Sequence, residues 1–164
     1  MNGELIRIHD ELQRGYEGDC WHGPPLLEIL SGVNAQAAAA RFPGLAHSIW
    51  ELVRHLAIWV EIVTRRTREW RPVEDPPRDF LAPSEASEPA WQNLLADLAH
   101  KHARLLEVIS GLNPSQLEQI VPGKNYPLAV MLHGTSQHYA YHAGQIALLR
   151  KLEGAVTTTI DSGS

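Results

Sequence analysis

Apolar positions along the chain recur mostly at helical spacing. From Gly3 to Glu17, Leu5, Ile6, Ile8, Leu12 and Tyr16 return every three or four residues with charges between them, which predicts a first helix. Gly18 and Asp19 stop it, and Trp21-His22-Gly23-Pro24-Pro25 opens a link with two short helical pieces, near Leu26–Leu30 and Asn34–Ala40. Asn34 suits the N-cap of the second piece, because its side-chain oxygen can accept a free amide of the first turn. The second long helix is predicted from about Leu45 to Trp70, with Leu52, Leu56, Trp59, Ile62 and Val63 as one broad apolar stripe.

Pro72, Pro76, Pro77 and Pro83 lie among charges in the segment up to Ser87, a composition that cannot continue a helix. So long a connection suits a binding-site flap or a crossover traversing the fold. Ser87 is placed to cap a third helix over about Glu88–Ser110, with Trp91, Leu94, Leu95, Leu98, Leu105 and Ile109 on its buried side and Gly111 as its stop. Asn113-Pro114-Ser115-Gln116 begins a short turn. A fourth helix spans about Pro127 to Leu152, with Gly154 as C-terminal cap and Arg150 and Lys151 set against the helix dipole.

Four helices with two long links, and no run of alternating strand pattern, predict an all-α fold of the four-helix-bundle kind. The β-branched stretch Val156–Ile160 has no partner strand. With no repeat or boundary in view, the expectation is one domain over residues 1–164, its core at about 3–153 and a tail at 154–164.

Composition narrows the function. The chain has 164 residues, 44% of them hydrophobic, enough for a buried core without staples. Cys20 is the only cysteine, so no internal disulfide can form and a reducing cytoplasm is the expected compartment. A formal charge of -5 gives no general attraction for nucleic acid or anionic lipid. The charged N-terminus does not read as a secretory signal, and the most apolar segment, Ile49 to Val63, is interrupted by Glu51, Arg54, His55 and Glu61.

Against this background nine histidines stand out. His138 and His142 are four apart, so on a helix their imidazoles lie one above the other. Met131, Thr135, His138, His142, Gln145, Ile146 and Leu149 share one face, which turns both imidazoles toward the core. His55 lies on the face of Leu52, Leu56, Trp59 and Ile62 and sends a third imidazole inward from another helix. Inward histidines can be satisfied separately by carbonyls and hydroxyls, or together by one divalent ion at about 2.0–2.1 Å.

His9, His100 and His102, among charges, are expected in solvent, and His22, His47 and His133 have no assigned role. Cys20 is expected as a small buried apolar residue rather than a reactive thiol. Tryptophans 50, 59, 70 and 91 are read as core residues or loop anchors first and as cavity walls second. The chain has no Glu-x-x-His, no His-Glu-x-x-His and no phosphate-binding glycine loop.

The string His133-Gly134-Thr135-Ser136-Gln137-His138-Tyr139-Ala140-Tyr141-His142-Ala143-Gly144-Gln145-Ile146 resembles the last-helix signature of the DinB/YfiT-like metalloenzyme superfamily, with its H-x-x-x-H-x-G-Q core. The segment from His47 to Trp59 is similar to that family's second helix, and Cys20 to Leu26 to its link after helix one. The resemblance runs from about Leu5 to Leu152. It implies a four-helix bundle of up-down-down-up topology, with a long crossover between helices two and three. It also implies a divalent ion, zinc or nickel, held by His55, His138 and His142. Many such proteins are dimers, and relatives include thiol-dependent S-transferases and a thiol-dependent isomerase.

Three neutral histidines leave ligand positions open, as in catalytic zinc sites. With the resemblance, the leading expectation is a cytoplasmic, dimer-forming, metal-dependent enzyme of the DinB-like type that activates a small external thiol for S-transfer, with Gln145 and Tyr141 as candidate supporting residues. The rivals are a metal-dependent hydrolase and a non-catalytic metal-binding stress-response protein.

Overall fold

The computed structural model describes residues 3–161, with side chains through Glu153. It is all-helical: α1 spans Gly3–Glu17, α2 Leu26–Leu30, α3 Ala35–Ala39, α4 Ile49–Glu69, α5 Glu88–Ser110 and α6 Leu128–Asp161, with a single 3-10 turn at Pro114–Gln116. Among the described residues there is no strand, only isolated bridges between Cys20 and Gly23 and between Ile120 and Pro127. No helix among them is long and apolar enough to cross a membrane.

The predicted second helix begins later than expected, at Ile49 rather than Leu45. Ser48 and Glu51 form a capping box: Ser48 Oγ accepts from the Glu51 amide at 3.3 Å, and Glu51 Oε2 accepts from the Ser48 amide at 2.8 Å. Arg41 grips the same carboxylate at 2.9 and 3.0 Å. The cap fixes which turn of α4 carries each residue, and so fixes the position of His55. Asn34 caps α3 as expected, accepting from the Ala37 amide at 2.9 Å. Ser87 stands at the N-cap position of α5 without a side-chain cap hydrogen bond.

At the other end of the chain, Gly154 does not stop α6, which continues to Asp161. A glycine inside a helix costs about 1 kcal/mol relative to alanine, a preference and not a block. Arg150 and Lys151 therefore lie within the helix and not at its negative end. Arg150 donates instead to the Ile29 carbonyl and ties α6 to α2.

The proline-rich crossover lies along α4 because three α4 side chains hold it. Arg66 donates to the Val73 carbonyl at 2.7 and 3.1 Å, Trp59 Nε1 to Asp79 Oδ2 at 2.8 Å, and Arg54 to the Ala82 carbonyl at 3.1 Å. This segment has no periodicity of its own, and its path is set by α4.

His102 overturns its expected place in solvent: it is 3% exposed. Its ring stacks on Tyr16 with centroids 4.2 Å apart, and its Nδ1 lies 3.0 Å from the Tyr139 hydroxyl. Nδ1 and the phenol share one hydrogen bond, and His102 Nε2 is buried without a partner among the described residues. Burial, with His9 nearby, pushes its pKa down to about 4. In the unfolded chain the ordinary value is about 6.5. Between those values the unfolded state binds the extra proton, so His102 stabilises the fold above about pH 6.5 and loses that contribution as pH falls through about 4. The full loss is on the order of 3 kcal/mol. Urea unfolding of chelator-treated protein is expected to show a flatter acid limb in His102→Phe than in wild type; equal slopes would assign the acid sensitivity elsewhere.

Candidate metal centre

α4 supplies His55 from its second turn, and α6 supplies His138 and His142 one turn apart. The structure brings all three together. His138 Nε2 lies 2.9 Å from His55 Nε2 and 2.9 Å from His142 Nε2, and the three ligand atoms lie within 4.8 Å of one another. His55 and His142 are buried, and His138 is half-buried.

The outer nitrogens decide where the protons sit. His142 Nδ1 donates to Gln145 Oε1 at 2.7 Å, so its Nε2 carries a bare lone pair. His55 Nδ1 faces Asp79 Oδ2 at 3.0 Å, in ion-pair range though out of line for a hydrogen bond, and the carboxylate holds the proton on that side. His138 Nε2 can carry one proton and serve one neighbour. The other 2.9 Å contact is then lone pair against lone pair, which is repulsive unless a cation stands between them. Nitrogens bound to one tetrahedral zinc at about 2.0–2.1 Å stand about 3.3 Å apart, so a few tenths of an ångström of opening admits an ion. The donor set therefore fits a divalent metal.

Electrostatics point the same way. Burial, followed by the neighbouring imidazoles, pushes His55 down to about 4 and His138 down to about 3. Burial also lowers His142, against the hydrogen bond to Gln145. All three are neutral at pH 7, the form that ligates.

Two residues of the site carried no signal in the sequence reading. Asp79 holds His55 and also accepts from Trp59; a carboxylate behind a ligating histidine fixes its tautomer and orientation. Phe80 is sandwiched between His55 and His47, at 4.1 and 3.8 Å between ring centroids. Both come from the crossover, where only the length of the segment hinted at a functional role.

Of the two supporting candidates, Gln145 orients His142. Tyr141 is 65% exposed and meets the site through its ring against His142, at 4.9 Å. His47 ends up before α4, on the rim, where it lines a groove of about 420 Å³ with Gln145. His133 belongs to a different device. It bridges Glu4 at 2.8 Å and Glu11 at 3.0 Å, clamping α6 to α1, and these bonds outweigh burial to raise its pKa. His22 and His100 are exposed.

Cys20 is half-buried, not fully inside. Its thiol donates to the Arg14 carbonyl at 2.9 Å, and burial pushes its pKa up. It lies in a cleft with Asp10, Arg14 and Ser136. Trp50 and Trp91 are core residues, while Trp59 is a cavity wall: with Val63, Met131 and His138 it lines a space of about 380 Å³.

An all-helical chain with three imidazoles converging between two long helices defines a helical protein with a potential metal site. A profile of the DinB superfamily matches residues 24–146, a span that includes His55, His138 and His142. The chain belongs to the DinB superfamily. Comparison with curated proteins found no match.

Proposed function

We propose that the protein is a zinc- or nickel-dependent enzyme that activates a small external thiol for S-transfer, its metal held by His55, His138 and His142 in an up-down-down-up bundle of the DinB type. The observation that carries this reading is the convergence of three Nε2 atoms, with the opposite ring nitrogens of His142 and His55 directed to Gln145 and Asp79. A divalent ion with an open position would lower the pKa of a bound thiol and present it as thiolate.

The chain's own residues prepare that chemistry. His55, His138 and His142 are held neutral by burial, so no proton competes for their lone pairs at pH 7. Gln145 and Asp79 fix two of the imidazoles, and Trp59 and Phe80 wall the site with apolar surface. Cys20, bonded to a carbonyl and raised in pKa, is no nucleophile for this reaction. The thiol therefore has to come from outside. The resemblance to DinB-like proteins supports a dimer, and the single cysteine, Cys20, a reducing cytoplasm.

The test is a transfer assay with glutathione, mycothiol or bacillithiol and 1-chloro-2,4-dinitrobenzene. The sulfur forms a bond to the aryl carbon, chloride leaves with the bonding pair, and the thiol proton goes to solvent. Activity abolished by chelation and restored by zinc or nickel is the expected outcome. Metal-dependent ester or amide cleavage without any thiol would assign the site to hydrolysis instead. A metal-loaded protein inert in both assays would make it a binding module.

A further inference from the structure

Arg66 has no part in the chemistry above, yet it lies on the same side of α4 as His55. The two are eleven residues apart, three turns at 3.6 residues per turn, so both side chains leave one face. Long helical side chains lean back toward the N-terminus. The guanidinium accordingly sits over Trp59, with Cζ 5.9 Å from the ring centroid. Trp59 in turn stands edge-on to His138 at 6.3 Å between centroids. Arg66, Trp59 and His138 thus line a single open cavity of about 380 Å³, together with Val63, Tyr126 and Met131.

Arg66 is 2% exposed, and a buried guanidinium is normally saturated with acceptors. Here Nε and Nη2 donate to the Val73 carbonyl, and Nη2 also to Asp75. Nη1 has no hydrogen-bond partner among the described residues, and the side chain forms part of the cavity wall. The local charge is also unbalanced. Asp75 is shared with Lys124, whose Nζ lies 2.9 and 3.2 Å from its two oxygens, so one carboxylate faces two cations. One positive charge remains beside an otherwise apolar space.

The geometry points to Arg66 as the group that binds the carboxylate of a small organic acid, whose apolar body lies along Trp59 and whose other end reaches the histidine cluster. The surplus of one charge matches a monoanion rather than a dianionic phosphate. The volume is at the small end of ligand pockets, which fits a compact acid and not a nucleotide or peptide. This rests on the proposed function in one respect, that the space beside His138 is the substrate side of the site. The acid is either the acceptor or a carboxylate-bearing thiol.

Calorimetric titration of metal-stripped protein with 3-phenylpropanoate and with 3-phenylpropanamide tests the assignment without activity and without a metal for the carboxylate to ligate. The acid is expected to bind at least ten-fold more tightly than the amide, and Arg66→Met to reduce the acid to the level of the amide. Because Arg66 also secures the crossover, Val130→Trp gives a second handle. Val130 lines the same cavity and is 54% exposed, so the bulkier ring should obstruct the space and weaken acid binding at least ten-fold without touching Arg66.

Displacement of the acid by glutathione, mycothiol or bacillithiol would identify the thiol as the carboxylate's source; no displacement by any of the three would identify the acceptor. Equal binding of acid and amide, or binding of neither at millimolar concentration, overturns the assignment and leaves Arg66 as a structural strut. Zinc and nickel stoichiometry measured on the same wild-type preparation separates the two readings. Stoichiometric metal without charge discrimination defeats this inference alone, whereas charge discrimination with neither zinc nor nickel bound defeats the proposed function alone.

Discussion

Replacing His138 with alanine is expected to abolish stoichiometric zinc and nickel binding. His138 Nε2 is the middle atom of the cluster, 2.9 Å from each of the other two, and without it His55 and His142 face each other from separate helices with no third ligand. Affinity should fall by well over about 100-fold, more than the roughly 10–100-fold that removal of an outer partner costs. His55→Ala should do the same, since it deletes the sole ligand from α4. Asp79→Ala is expected in the lower range, because it frees the His55 ring without deleting the ligand.

Competition with a chromogenic chelator, followed by metal analysis of dialysed protein, ranks these variants. If His55→Ala and His138→Ala retain as much metal as wild type, the site is misassigned. The pH dependence is a second signature. An exposed histidine competes with metal through its proton below about pH 6.5. Here His55 is held down to about 4 and His138 to about 3, so these two should oppose metal binding little at pH 6 and strongly only as pH falls toward 4.

The triad was legible in the sequence because it obeys helical periodicity. His55 shares a stripe with Leu52, Leu56 and Trp59, and His138 and His142 share one with Met131, Ile146 and Leu149; burial of those faces against one another brings the imidazoles together. Asp79 and Phe80 obey no period. Their positions depend on where Trp59, Arg54 and Arg66 catch an irregular segment, and nothing local in the crossover encodes that. His102 shows two local signals in competition. Lys101 and Arg104 pointed it to solvent, but it also falls between Leu98 and Leu105 on the stripe with Trp91 and Ile109, and the stripe prevailed. At the helix ends, the Ser48-x-x-Glu51 capping box outweighed the apolar pattern reaching back to Leu45, while Gly154 was too weak a signal to end α6.

Trp91→Ala is expected to give the largest loss of stability in the molecule. The indole is fully buried, its ring packs 5.1 Å from that of Trp50, and its Nε1 donates to the Val33 carbonyl at 2.7 Å. It therefore joins three parts of the chain: α5, the first turn of α4, and the link between α2 and α3. Truncating a buried tryptophan to alanine costs about 3–5 kcal/mol, a large share of the roughly 5–15 kcal/mol that holds a domain folded. Trp91→Phe keeps most of the apolar volume but leaves the Val33 carbonyl unpaired, for a smaller loss of about 1–3 kcal/mol. Urea unfolding followed by circular dichroism measures both, and a loss below about 1 kcal/mol for the alanine variant would show that the core does not depend on this side chain. Zinc then separates packing from site geometry. At about 100 times its Kd, a ligand of the native state adds about 2.7 kcal/mol. If Trp91 acts through packing alone, zinc should stabilise Trp91→Ala by as much as it stabilises wild type. A smaller increment in the variant would mean that the start of α4, displaced from Trp91, no longer delivers His55 to the cluster.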